Sequence, residues 1–232
     1  MPQHIGIVAC SAEGAALCYH TICVEGAQFL GPHDHPEVSM HTHSLAQYMH
    51  PIRRNDWPAV AELMLSSANK LATIGADFLI CPDNTIHQAL PHIAERSPLP
   101  WLHIAEVVAT HAAANGFHRV GLTGTRWLVE SSVYPDKLIA HNIETHRPNP
   151  TEREAIDHII MDELVYGIFK PESIATFQRI ITRMKQEGCD AVVLGCTEIP
   201  LILNDANSPL PTLDSTRLLA RAALQRAVEA NA

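Results

Sequence analysis

Short apolar runs alternate with stretches of helical spacing along most of this chain. Ile5-Gly-Ile-Val-Ala9, Phe78-Leu-Ile-Cys81, Arg119-Val-Gly-Leu-Thr-Gly124 and Ala191-Val-Val-Leu194 are apolar and largely β-branched. Runs of this kind read as strands covered on both faces. Trp57–Ile74 places apolar residues at Val60, Leu63, Met64, Ala68 and Leu71 and stops at Gly75, which predicts a helix with a glycine C-cap. Further helices are expected after the small-residue turn Ala9–Gly14, over Ile86–Glu95, Val107–Asn115, from Trp127 onward, over Thr151–Phe169, Ser173–Glu187 and Ser215–Ala230. Residues 31–55, rich in His, Pro and Asp, read as a long loop holding a short strand near Val38-Ser39-Met40. Trp101–Ile104 and Leu210–Leu213 add two short strands. Strands alternating with helices make a parallel sheet covered on both sides, an α/β fold.

The pattern repeats. Gly75-Ala-Asp77-Phe-Leu-Ile-Cys-Pro82-Asp83-Asn84 lies on Gly188-Cys-Asp190-Ala-Val-Val-Leu-Gly195-Cys196-Thr197 at an offset of 113 residues, and Ile5–Cys10 lies on Val120–Thr125 at an offset of 115. Two matches at nearly one offset, each about half the chain, imply duplication of a flavodoxin-like unit. The predicted architecture is two pseudo-symmetric lobes with parallel sheets and an interlobe cleft. Residues 1–100 plus 211–232 form one lobe, and 101–210 the other. Ligands of open α/β sheets bind outside the carboxyl ends of the strands. The turns holding Asp83 and Cys196 are therefore expected to confront each other across a substrate. Opposed groups suit removal of a proton from one face of a carbon and addition of one to the other.

Composition narrows the field. Of 232 residues, 47% are hydrophobic and 18% charged, which excludes a disordered chain. Lys and Arg number 16 against 25 Asp and Glu, a formal net charge of −9, which argues against nucleic acid or an anionic membrane as partner. No apolar run approaches the roughly 20 residues of a membrane helix, and the N-terminus lacks a signal-peptide pattern, so a cytoplasmic protein is expected. The cysteines at 10, 18, 23, 81, 189 and 196 have neither zinc nor disulfide spacing and read as reduced thiols. His33-Asp34-His35 and His41-Thr42-His43 have ligand-like spacing, but no carboxylate or cysteine set completes a site, and no metal is expected.

The strand-end turns carry the candidate chemistry. Cys196 follows a strand and precedes an expected helix, whose N-terminus would lower the thiol pKa; the alternative is a small buried cysteine. Asp83 is either a proton-transfer base or an N-cap, the second role worth about 0.5–2 kcal/mol. Asn84, Thr85, Thr125 and the Thr197 backbone are candidate donors to a substrate carboxylate, and Asn84 and Thr85 equally suit capping. Ser11 occupies the corresponding first turn as a cap or a ligand. Glu198 either tunes Cys196 or stabilises a helix start. Arg53, Arg54 and Arg126 read as surface charges, and His87 and His103 as structural hydrogen-bonding residues near the turns.

The opening Ile5-Gly6-Ile7-Val8, Gly75-Ala-Asp77-Phe78 with Asn84-Thr85-Ile86-His87, Val120-Gly-Leu-Thr-Gly-Thr-Arg126 and, most specifically, Leu194-Gly-Cys-Thr-Glu-Ile199 resemble the aspartate/glutamate racemase superfamily. That superfamily includes hydantoin racemases, maleate isomerases and arylmalonate decarboxylases, and the resemblance spans essentially the whole chain. It implies two α/β lobes, commonly a homodimer, and an amino-acid or related carboxylate substrate handled with no cofactor. The usual racemases carry a cysteine in each turn. Here Cys196 keeps the second, whereas Asp83 stands where the first would be, and Ala9-Cys10-Ser11 replaces a Gly-Gly-Met type of opening turn. The resemblance thus implies a pyridoxal-independent isomerase acting at the α-carbon of an acidic amino acid, with Cys196 and Asp83 as its acid/base pair. The same fold with one catalytic cysteine also suits a decarboxylase or one-sided isomerase, and a lapsed small-molecule-binding homologue is the non-enzymatic alternative.

Overall fold

Ile5 and Phe78 are paired in one parallel sheet, and their counterparts in the repeat, Val120 and Ala191, are paired in the other. The computed structural model describes residues 1–229, which divide into one unit of Met1–Ile104 with the chain from Thr216 onward, and a second of Ala105–Ser215. The first unit runs β1 (Ile5–Ala9), α1 (Ala12–Leu30), β2 (Val38–Thr42), α2 (Leu45–Ile52), α3 (Trp57–Thr73), β3 (Phe78–Ile80), a 3-10 helix over Thr85–His92, and β4 (Trp101–Leu102). After α4 (Ile104–Ala114) the second unit runs β5 (Arg119–Thr123), α5 (Arg126–Val129), α6 (Val133–Ala140), β6 (Glu144–His146), α7 (Pro150–Asp162), α8 (Pro171–Gln186), β7 (Ala191–Leu194) and β8 (Thr212–Asp214). Helix α9 (Ser215–Glu229) returns to the first unit, where Gln3 N donates to Ala227 O at 2.8 Å and the Arg226 guanidinium lies 4.4 Å over the Phe78 ring.

The two sheets have strand orders β2-β1-β3-β4 and β6-β5-β7-β8, with every pairing parallel. Central strands β1, β3 and β7 are buried along their whole length, as near-continuous apolar runs require. The Gly-x-Asp of the repeat has an architectural cause. Gly75 and Gly188 take φ of 93° and 92° after α3 and α8, a left-handed stop that glycine adopts without Cβ strain. Two residues on, Asp77 Oδ2 accepts from His4 N at 2.7 Å and Asp190 Oδ2 from His118 N at 2.7 Å, each pinning the start of the neighbouring strand.

Several elements differ from the pattern-based expectation. Within residues 31–55 the chain forms α2, whose Tyr48, Pro51 and Ile52 turn inward. The interspersed His and Pro hide that face. Strand β6 and helix α6 fill a stretch whose mixed polarity gave no period. Helix α7 ends at Asp162 instead of Phe169, and the chain reverses through left-handed Gly167. The segment after Asp83 is a 3-10 helix, and the one after Cys196 is a three-residue 3-10 turn, Ile199–Leu201. Among the described residues no helix is long and apolar enough to cross a membrane.

Candidate active site

In the second unit two glycines bring the ends of β5 and β7 into backbone contact. A Cβ on Gly195 would lie 2.4 Å from Thr123 O, and one on Gly124 would lie 3.0 Å from Gly195 O. The turn that follows holds Cys196, half-buried, with Thr197 and Glu198 almost fully buried. The Cys196 thiol donates to Glu198 Oε2 at 2.9 Å, and the Thr197 hydroxyl donates to the same oxygen at 2.8 Å. A carboxylate that accepts a thiol hydrogen bond lies within reach of the proton a general base would take. In place of the expected helix behind Cys196 stands only the short 3-10 turn Ile199–Leu201. What the structure sets against the thiol is the Glu198 carboxylate and not the N-terminus of a regular helix. Thr125 caps α5, accepting from Leu128 N at 3.3 Å. The last carbonyls of β7 are taken by buried hydroxyls: Thr123 Oγ1 donates to Val193 O at 2.6 Å and Ser215 Oγ to Leu194 O at 2.8 Å. Tyr134, also fully buried, hydrogen-bonds Ser215; burial drives its phenol far above the ordinary range.

In the first unit Ser11 caps α1, accepting from Gly14 N at 3.4 Å. Asp83 is half-buried, and its Oδ1 accepts from Ile86 N at 3.3 Å, which is a capping contact. Asn84 and Thr85 are buried beside it. Cys81 lies in the core, where burial raises its thiol pKa well above the ordinary value, and it donates to Asp83 O at 3.7 Å. It is an inert companion of the turn. Tyr48 lies near Cys10, Cys81, Ser67 and Asp83, its phenol pushed upward mainly by burial. His41 is bound to Ser67 Oγ and Lys70 Nζ, both at 2.9 Å, and an ammonium on its Nε2 makes it a poor metal ligand. Arg54 forms exposed pairs with His50 and Asp56. Arg126 pairs with Asp157 and stacks on Trp127. Among the described residues no cluster of three or more His, Cys, Asp or Glu is arranged to hold a metal ion.

His87, expected from the sequence to be a structural hydrogen-bonding residue near the turns, has that role. Its Nε2 donates to Cys81 O at 3.0 Å, and its ring meets His103 edge-on at 4.5 Å. Burial, with His103 adding to it, lowers its pKa from 6.5 to about 3. The folded protein therefore refuses a proton that the unfolded chain accepts below 6.5. Stability should fall as pH drops from 6.5 toward 3, by a few kcal/mol for this group. His87→Gln should remove about one proton from the pH slope of the unfolding free energy in that window, measured by urea titrations at stepped pH. An unchanged slope would show that His87 is charged or exposed in the native protein.

The profile of the Asp/Glu/hydantoin racemase family matches residues 9–223. The broad-specificity amino-acid racemase RacX of Bacillus subtilis is 24% identical over 170 residues, covering 72% of this chain and 71% of that protein. A candidate Asp/Glu racemase from Yersinia pestis superposes with a TM-score of 0.89 at 29% identity, over 97% of this chain and 99% of that one. An aspartate racemase homologue from Pyrococcus horikoshii shares the fold, with a TM-score of 0.83 at 23% identity over 98% and 99% of the two chains.

Proposed function

The chain belongs to the Asp/Glu/hydantoin racemase family, and we propose that it inverts the α-carbon of an acidic amino acid or related carboxylate, with Cys196 and Asp83 as its acid/base pair. The observation that carries the reading is the Cys196–Glu198 contact, a thiol already donating to a buried carboxylate at 2.9 Å. With the thiol proton passed to Glu198, the thiolate removes the α-proton of one enantiomer, and the carboxylic acid of Asp83 returns a proton to the opposite face. In the reverse direction the roles exchange. The substrate carboxylate takes charge as the α-carbon loses its proton, and donors fixed in place stabilise that charge. Ser11, Asn84, Thr85, Thr125 and the Thr197 backbone are the donors in this reading. The proton moves between side chains, so no cofactor enters the scheme. The broad specificity named for RacX supports an amino-acid substrate.

A second reading is favoured by one contact. Asp83 Oδ1 accepts from Ile86 N, so the residue already has a structural task. If that task is its whole role, one thiol remains, and one-sided proton transfer in a decarboxylase or isomerase follows. Incubating D- and L-aspartate and D- and L-glutamate in D2O, with chiral chromatography and mass detection, separates the readings. Racemisation places deuterium at the α-carbon in product made from either enantiomer. Asp83→Asn keeps the cap and removes the base, so racemisation should fall about 10²–10³-fold in both directions while exchange at the Cys196 face survives. An Asn variant within about twofold of wild type would make Asp83 a cap only. Absence of α-proton exchange and of binding with all four amino acids would overturn the substrate class.

A further inference from the structure

The carbonyl two residues before Asp83, that of Cys81, accepts from His87 Nε2 at 3.0 Å. The carbonyl two residues before Cys196, that of Leu194, accepts from Ser215 Oγ at 2.8 Å. The 113-residue offset lays Cys81 on Leu194 and Asp83 on Cys196. The same backbone oxygen is therefore held in both units, by different side chains reaching it from different elements. His87 lies in the 3-10 helix directly after the turn, whereas Ser215 stands at the head of α9 beyond the next strand. Both donors are buried, at 1% and 0% exposure. A buried carbonyl left without a donor costs about 1–3 kcal/mol, so each contact fixes the plane of the peptide that launches the turn. Each donor is itself braced: Ser215 bonds Tyr134, and the His87 ring meets His103.

We propose that Ser215 and His87 are positioning residues for proton transfer, each aiming its unit's acid/base side chain through the carbonyl two residues before it. The inference rests on the reading of Cys196 and Asp83 as the acid/base pair. A misplacement of about 1 Å can cost on the order of 10² in rate, far more than the same small shift of the turns' own donors, Asn84, Thr85 and the Thr197 backbone, costs in binding, so the clamps act mainly on kcat.

The test compares Ser215→Ala with Ser215→Thr, and His87→Leu with His87→Gln, whose amide retains a donor near the Nε2 position. Ser215→Ala should lower kcat about 10²-fold with KM within about threefold, and Ser215→Thr should recover most of the loss. Deuterium exchange in D2O with D- and L-aspartate and glutamate should show the loss at one face of the α-carbon for Ser215→Ala and at the other for His87→Leu. If His87→Leu does not fold, His87→Asn, which is too short to reach the carbonyl, takes its place. A readout independent of turnover is the pH profile of iodoacetamide alkylation at Cys196, followed by peptide mass mapping. Ser215→Ala should change that rate about fivefold or more, while Ser215→Thr and His87→Gln match wild type. A folded Ser215→Ala protein with wild-type alkylation and wild-type kcat would overturn the proposal. Wild type with no α-proton exchange would instead overturn the racemase reading, and the alkylation profile would still decide whether Ser215 sets Cys196.

Discussion

Cys196→Ser should abolish racemisation in both directions, a loss of about 10⁴-fold or more, with little change in thermal unfolding. Serine keeps the size of the side chain and can donate to Glu198 as the thiol does at 2.9 Å, so the turn is expected to stay in place. What changes is acidity: an ordinary thiol loses its proton near pH 8.5, and an alkyl hydroxyl only far above that. Glu198 can accept the thiol proton but has no means of stripping the hydroxyl. Both directions fail because the group that must take a proton in one direction must give it back in the other. Chiral chromatography gives the rate, and differential scanning fluorimetry the stability. Slow deuterium incorporation at the Asp83 face alone would fit the two-sided scheme. A serine variant within tenfold of wild type would remove Cys196 from the chemistry. Glu198→Gln provides the companion case: the amide still accepts the thiol hydrogen bond but cannot hold its proton, and about 10²-fold loss is expected.

The sequence made some of this legible and concealed the rest for definable reasons. Ala191–Leu194 and Phe78–Ile80 are covered on both faces, so their apolar runs announced strands, and the polar residues after them announced strand-end turns. The repeat was readable because Gly75 with Asp77 and Gly188 with Asp190 perform the same two structural tasks. Helix α2 carries no clear period, because Pro51 and the histidines around Tyr48 interrupt the apolar face of a helix only eight residues long. The segment Ile199-Pro-Leu-Ile-Leu203 has the apolar density of a helix, yet it forms a single 3-10 turn, Ile199–Leu201. That difference alters the chemistry, since it leaves a carboxylate and not a helix N-terminus beside the thiol. The clamps on Cys81 and Leu194 were out of reach for another cause. They join residues six and 21 positions apart, the first within one turn and the 3-10 helix after it, the second through the pairing of β7 with β8, and no local period encodes either.

Gly195→Ala should damage stability and turnover together, and by different routes. The added Cβ would lie 2.4 Å from Thr123 O and 2.7 Å from Leu128 Cδ2. The leucine methyl can swing aside, but Thr123 O is backbone at the end of a buried central strand, and Gly195 N donates to it at 3.0 Å. Residue 195 must therefore retreat, stretching that bond and carrying Cys196 with it. Overpacking of this kind costs about 1–3 kcal/mol, which lowers Tm by roughly 2–4 °C per kcal/mol in a chain of this size. The shift of the thiol should lower kcat by a further 10²–10³-fold, approximately, since proton transfer depends on the last ångström. Gly116→Ala separates the two routes. Gly116 has φ of 72°, and a Cβ added there would have nothing within 4 Å, so alanine is strained in its backbone but meets no neighbour. It should lose stability and keep its kcat. The repeat adds a further contrast, because Pro82 stands where Gly195 stands in the second unit, so the close approach belongs to the Cys196 turn alone. A Gly195→Ala protein that loses Tm but retains wild-type kcat would show that the position of the Cys196 turn is not what limits the reaction.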